Sequence, residues 1–196
     1  MYLMTKIYRE LENGKIVKGI GLPVFVHNGS TYYCDLIEIY EDGVIDCWGE
    51  SVDFEIFIEK VNSGWFVTQL PKGDIKINRH HSFYGKTDKL QTYIKEEEFI
   101  KEVRDTLDQL QGKTTSSERC RESFHTYLEK PTKSNKQDLR IKYKSVPDHL
   151  KEYVLWDMDS RDGAIRHILS GKKIKKKLIK MWKKRYGYQI QQKDSN

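Results

Sequence analysis

A β-hairpin pattern near the N-terminus commits part of this chain to antiparallel pairing. Thr31 to Tyr40 alternates its side chains between two faces, and the apolar run from Val44 to Trp48 follows an Asp42-Gly43 dipeptide. An Asp-Gly pair between two such runs is a strong hairpin signal. With Asp42 and Gly43 as a two-residue turn, the pattern predicts that Tyr40 faces Ile45.

Four further segments of the N-terminal half have strand character, because β-branched and aromatic residues recur between turn residues. A short amphipathic helix is predicted near residues 52–62, where apolar residues follow helical spacing. The predicted strands are Thr5–Leu11, Gly19–His27, Trp65–Leu70 and Asp74–Phe83, the last two joined by Pro71-Lys72-Gly73. Residues 1–94 are therefore predicted to form a mainly antiparallel β unit with one inserted helix.

The C-terminal half has helical periodicity, and residues 95–186 are predicted to be a helical part followed by a flexible tail over 187–196. Residues 130–138 contain no apolar side chain except Pro131 and are predicted to be a polar linker, followed by a strand from Leu139 to Val146. The predicted helices span about 96–111, 118–129, 148–156, 161–170 and 172–186. The predicted fold class is α+β, and 196 residues suit either one compact domain or a domain with a helical appendage.

Composition indicates a folded protein without a membrane span. Hydrophobic residues make up 37% of the chain and aromatic residues 12%, more than a disordered chain would carry. The apolar runs are too short for a transmembrane helix or a signal peptide, so we expect a cytoplasmic protein. Cys34, Cys47 and Cys120 are an odd number without metal-ligand spacing, so neither a disulfide framework nor a zinc finger is expected. No metal ligand and no cofactor are assigned.

The charge is concentrated near the C-terminus. Between Lys172 and Arg185 the sequence carries nine positive charges and no acid, whereas the whole chain has a net charge of +6. The remaining residues therefore have a net charge of −3. One segment makes this protein basic.

That segment is predicted to be an amphipathic helix with an apolar face and a lysine face. Like charges one turn apart destabilise a helix by about 0.2–0.5 kcal/mol per pair, and no local acid relieves them. A polyanion would relieve this repulsion, because its phosphates neutralise the lysines and release counterions. The predicted docking face is Ile174, Leu178, Met181, Trp182 and Tyr186, and the predicted anion-binding face is Lys172, Lys173, Lys176, Lys177, Lys180, Lys183 and Lys184.

Other interpretations of the lysine face stay open. It is also compatible with a solvated surface, which is what charge runs usually are, and, to a lesser degree, with an anionic membrane surface or an acidic protein partner. Nucleic acid is the partner that we favour.

Catalytic signals are weak, and no catalytic residue is assigned. Asp74-Ile75-Lys76 has the D-x-K spacing of some metal-dependent nucleases, in which the acid binds the ion and the lysine supports the reaction. Asp157, Asp159 and Asp162 are close in sequence but lack the register of a calcium loop. A nuclease is therefore an alternative rather than the main prediction.

Three stretches, Tyr32 to Trp48, Val52 to Gly73 and Val146 to Gly171, resemble a family of uncharacterised bacterial proteins. The resemblance implies one shared architecture and transfers no catalytic residue, which favours a binding role. Such bacterial proteins often belong to toxin–immunity or phage-defence loci, an association that does not come from these residues.

The sequence thus predicts a non-enzymatic cytoplasmic binding protein whose lysine-rich helix engages nucleic acid or another anionic partner. The alternative is a protein-interaction module, such as an immunity or phage-defence accessory protein, that uses aromatic side chains of the sheet region. Those side chains are Tyr32, Tyr33, Tyr40, Trp48 and Trp65.

Overall fold

The structure, a computed structural model, describes residues 5–78, 82–87, 94–155, 161–172 and 174–187. The chain divides into two compact units, unit 1 over residues 1–113 and unit 2 over residues 114–196. Unit 1 holds the sheet and unit 2 is helical, so the predicted α+β class is confirmed. None of the helices in the described ranges is both long and apolar enough to cross a bilayer.

The sheet of unit 1 is mainly antiparallel. Strands β1 to β5 lie in chain order, β6 pairs with β2, and β7 runs parallel to β3 and antiparallel to β8. The strands are β1 (Thr5–Glu10), β2 (Ile16–Asn28), β3 (Thr31–Tyr40), β4 (Ile45–Cys47), β5 (Glu50–Val52), β6 (Phe66–Val67), β7 (Gly73–Asn78) and β8 (Ser82–Thr87).

The β3–β4 hairpin exists, but its register is one residue away from the predicted one. Ile39, not Tyr40, lies opposite Ile45, and the Tyr40 amide donates to the Val44 carbonyl at 2.9 Å. The loop therefore has three residues and ends on Gly43, whose φ of 93° suits glycine. The Glu41 amide donates to the Lys18 carbonyl of β2, which ties the extra loop residue to the sheet.

The predicted pairing across Pro71-Lys72-Gly73 is wrong. Segment β6 pairs with β2, with Val67 opposite Phe25, and β7 pairs with β8 instead. Pairing with β2 is more favourable for β6 than pairing with β7, because it places Phe66 in the core, where this side chain is fully buried.

Two helices cover one face of the sheet. Helix α1 (Phe54–Asn62) confirms the predicted inserted helix. Asp53 caps its N-terminus, because the Asp53 carboxylate accepts from the Ile56 backbone amide. Helix α2 (Glu96–Leu110) places Phe99, Val103 and Leu107 in the same core as the strands. The boundary between the units therefore follows α2, at residue 113, whereas the pattern of predicted strands and helices places it at residue 94.

Unit 2 is built from helices around its own core. They are α3 (Ser116–Glu129), α4 (Lys133–Ser145), a 3₁₀ helix (Asp148–Tyr153), α5 (Gly163–Leu169) and α6 (Lys176–Gly187). The linker predicted over 130–138 and the strand predicted over 139–146 are both replaced by α4. Thr132 caps this helix by accepting from the Asn135 amide, and Leu139 anchors it in the core with no exposed surface. The predicted tail lies outside the described residues beyond Gly187.

Candidate anion-binding surface

The apolar face of α6 docks on the body of unit 2. Trp182 and Tyr186 are 6% and 2% exposed. The Tyr186 ring packs edge-on against Phe124 of α3 with 5.4 Å between centroids, and Trp182 packs in the same way against His167 at 5.7 Å. Ile174, Leu178 and Ile179 are partly buried against the same core. The most apolar part of α6 is therefore used inside the protein.

Two details of α6 differ from the sequence prediction. The helix begins at Lys176 rather than Lys172, and Lys173 lies outside the described residues. Met181 was expected on the docking face, but its side chain is 50% exposed. Since helical residues advance by about 100°, Met181 lies about 100° from Trp182 and only about 40° from Lys177. The docking face is therefore narrower than predicted.

Four lysines form the outer surface of α6, which we name the α6 lysine face: Lys176, Lys177, Lys180 and Lys184. All four are exposed and fall within an arc of about 100°, opposite the buried rings. Within the described part of the chain, none of the four forms an ion pair. Lys183, at the rim, is different because its Nζ lies 2.9 Å from the Glu129 carboxylate of α3. Lys172 is exposed but precedes the helix.

The placement of these lysines costs helix stability. The first turn of α6 contains lysines and no acid, although the helix dipole favours acids there.

Unit 2 as a whole carries 21 Lys and Arg against 10 Asp and Glu, a net charge of +11, whereas unit 1 carries 14 against 19, a net charge of −5. The positive potential therefore belongs to unit 2.

A second basic stripe lies on α4, in a segment that the sequence predicts to be a linker and a strand. Lys133, Lys136, Arg140 and Lys144 recur at spacings of three, four and four residues, which places them along one side of a helix. We name these four residues the α4 stripe. The signal was present in the sequence, but it was hidden because the segment was assigned to a linker and a strand.

The aromatic side chains predicted as an alternative interaction surface are largely packed. Tyr40 is 3% exposed, and Tyr32, Tyr33 and Trp65 are partly buried, whereas Trp48 is 38% exposed. The Trp48 ring packs against the rings of Tyr33 and Trp65, with centroid distances of 5.1 and 6.2 Å. Lys60 Nζ lies 3.6 Å from the centroid of the Trp65 ring. Among these five side chains, Trp48 alone is open enough to act as a contact anchor.

The residues considered for metal chemistry do not assemble into a site in the described ranges. Asp74 is exposed on β7, and Lys76 lies beside the Tyr84 ring. No group of three His, Cys, Asp or Glu side chains that could hold a metal ion occurs among the described residues. Asp157 and Asp159 lie outside them. Asp162 is buried and accepts from the Tyr143 hydroxyl and from Arg166 Nε, the latter at 2.9 Å.

The cysteines and a cavity in unit 1 offer no catalytic arrangement in the described ranges. Burial raises the pKa of Cys47 to about 11 and that of Cys120 to about 12, so both stay protonated thiols at neutral pH. Cys34 lines a cavity of about 190 Å³ together with Glu102, Thr68 and mainly apolar side chains. The Thr68 hydroxyl donates to the Ile94 carbonyl within the wall of this cavity.

Comparison with known proteins divides the chain where the structure does. Residues 6–114 match a domain of unknown function, DUF7638, and residues 115–192 match a second one, DUF7639. No curated protein and no solved structure matches the chain. The matches confirm a family of uncharacterised domains and carry no information on bacterial origin. The chain thus belongs to the family of proteins with the DUF7638 domain, which is followed here by a DUF7639 domain.

Proposed function

We propose that unit 2 binds nucleic acid through the α6 lysine face. The observation that carries this proposal is the set of four exposed lysines, which share one side of α6 without an ion pair among the described residues. Phosphates would remove the repulsion between them and release counterions on binding.

A membrane surface is less well supported. An amphipathic helix binds a bilayer by inserting its apolar face between the headgroups. In α6 that face contains Trp182 and Tyr186, which are already buried in the core of unit 2. Insertion would require α6 to leave the core.

An acidic protein partner is also less well supported. Protein interfaces use Trp, Tyr and Arg as anchors and are depleted in lysine. The outer surface of α6 presents four lysines, Met181 and a single arginine, Arg185, while its two aromatic rings face inward. Lysine is a common phosphate ligand because it acts as a point charge without a required geometry.

The test is the salt dependence of binding to a labelled 20-base-pair duplex of mixed sequence. The four phosphate contacts of this face alone contribute about −3.6 to the slope of log K against log salt, which is about a 150-fold loss of affinity between 50 and 200 mM salt. The variant Lys176→Gln/Lys177→Gln/Lys180→Gln/Lys184→Gln should lose this contribution to the slope and bind the duplex more weakly than the wild type at 50 mM salt.

A matched control removes the same charge from unit 1. Lys6, Lys15, Lys18 and Lys72 are all exposed, and replacing them with Gln lowers the net charge by the same four units. We expect this control to bind as the wild type does. Equal losses in the two variants, or a wild-type affinity that does not respond to salt, would contradict the proposal.

A further inference from the structure

We propose that the α4 stripe is a second phosphate-binding element, which contacts the same nucleic acid as the α6 lysine face. The inference rests on the proposed function for its ligand class. It assigns a role to a helix in which the sequence showed only a linker and a strand.

The charge of α4 is not balanced within the helix. Five of its thirteen residues are Lys or Arg, and Asp138 is the single acid. The Asp138 carboxylate accepts from the Ser123 hydroxyl of α3 at 2.5 Å, so it is engaged in helix packing.

The four side chains of the α4 stripe have no carboxylate partner in the described part of the chain. Arg140 donates to the amide oxygen of Gln137 at 3.0 Å, which leaves its charge uncompensated. Lys133 and Lys144, at the two ends of the stripe, are exposed, and Lys136 and Arg140 between them are half-buried. An external anion can therefore reach the stripe, most readily at its two ends.

Helix stability does not explain these charges. Lys133 and Lys136 lie in the first turn, where the helix dipole disfavours cations, and that turn contains no acid. Lys136, Arg140 and Lys144 are like charges one turn apart, which also destabilises the helix. Lys144 is the only member of the stripe that the dipole favours.

The stripe has the dimensions of a backbone contact. Its two ends lie eleven positions apart in the helix, so it extends about 16 Å along α4. Each strand of a duplex offers a phosphate about every 3.4 Å along its axis, so several phosphates lie within this length.

The two basic helices reach the same end of α3. Lys183 of α6 binds Glu129, and Asn135 of α4 donates from Nδ2 to the carbonyl of the next residue, Lys130, at 2.7 Å. Because both helices contact α3 at neighbouring residues, the proposed shared ligand is an extended polyanion rather than a small anion.

The experiment compares salt slopes on the 20-base-pair duplex for four full-length proteins: wild type, the α6 quadruple variant, the unit 1 control and Lys133→Gln/Lys136→Gln/Arg140→Gln/Lys144→Gln. With eight contacts the wild-type slope should be about −7, and the α4 variant should return it to about −3.6. Far-UV circular dichroism checks that each variant is folded. If the quadruple variant unfolds, Lys133→Gln/Lys144→Gln replaces it, because this variant changes only two exposed side chains. It should reduce the magnitude of the slope by about 1.8.

The outcomes separate this inference from the proposed function. An α4 variant with the wild-type slope overturns the inference, and the proposed function stands if the α6 variant still binds more weakly than the wild type. An α6 variant with unchanged binding beside a weakened α4 variant overturns the proposed function instead. Tighter binding of poly-L-glutamate than of the duplex, at equal charge concentration and equal salt, would assign the surface to an acidic protein and overturn both.

Discussion

Tyr40 lies across the backbone of Gly19, and this contact explains why β2 has no side chain at that position. A Cβ atom on Gly19 would lie 2.7 Å from both the Ile39 carbonyl oxygen and Tyr40 Cδ1, closer than van der Waals contact allows. The Arg9 guanidinium lies over the Tyr40 ring, 4.3 Å from the ring centroid. Arg9 in turn pairs with Asp42 and Asp46, so the ring cannot easily move away.

Gly19→Ala should lower the free energy of unfolding by about 1–3 kcal/mol, the usual cost of overpacking a closed site. Gly21→Ala is the matched control two residues along the same strand, because its nearest neighbour would be a movable Leu36 side-chain atom at 3.4 Å. Urea unfolding of both variants measures the difference. Equal effects of the two substitutions would show that the Tyr40 contact is not the cause.

His125 makes the stability of unit 2 depend on pH. Burial lowers the pKa of His125 below its ordinary value of 6.5, and the nearby Arg121 lowers it further, while Glu129 acts in the opposite direction. The unfolded chain therefore binds a proton near pH 6.5 that the folded chain does not bind. By linkage, stability is retained above pH 6.5 and decreases as the pH falls from there toward the folded-state pKa.

Wild type should accordingly lose more unfolding free energy between pH 7.5 and pH 5.5 than His125→Gln does. Urea titrations of both proteins at the two pH values give the comparison, and the other histidines contribute equally to each. A His125→Gln variant with the wild-type pH dependence would remove His125 as the cause.

Among the helices, α6 combines a docked apolar face with a repulsive outer face. Lys180 is the centre of the repulsion, since Lys176, Lys177, Lys183 and Lys184 all lie three or four residues from it. A chain selected for stability alone would place acids among these positions, as α3 does with Glu118 in its capping box. The cost is understandable if the lysines serve binding.

Lys180→Gln should therefore raise the free energy of unfolding by about 0.5–1 kcal/mol at low ionic strength. Thermal melts at 20 mM and 1 M salt test this, because high salt screens the repulsion and should remove the difference. Lys180→Arg keeps the charge and is the control. A Lys180→Gln variant that is less stable than wild type at low salt would argue against a binding-driven arrangement.

Across the chain, charge and fold change at the same place. The boundary at residue 113 separates an acidic unit 1 from a basic unit 2, each with its own hydrophobic core. The adjacent DUF7638 and DUF7639 matches meet within two residues of that boundary. Binding of a polyanion should therefore belong to unit 2 alone.

A fragment of residues 114–196 should keep the affinity of the full chain for the duplex at 50 mM salt, and a fragment of residues 1–113 should not bind. Circular dichroism establishes that each fragment is folded before fluorescence anisotropy measures binding. Binding of the duplex by the folded fragment 1–113 would place the binding surface in unit 1 and contradict this prediction.

Local patterns in the sequence were sufficient for the strands β1 to β4, for helix α1 and for the amphipathic character of α6. These features depend on side-chain alternation, turn residues and helical spacing, which act over a few neighbouring residues. They determine which side chains share a face, and so they identified the lysines.

Long-range contacts decided the remaining features. The β3–β4 register follows from the bond between Glu41 and Lys18 of β2, and α4 is a helix because Leu139 fills the core of unit 2 despite its polar neighbours. Burial of Trp182 and Tyr186 against α3 and α5 also turns the lysines of α6 outward. Such contacts join residues far apart in the chain, and their free energy depends on a packed interior that no local pattern encodes.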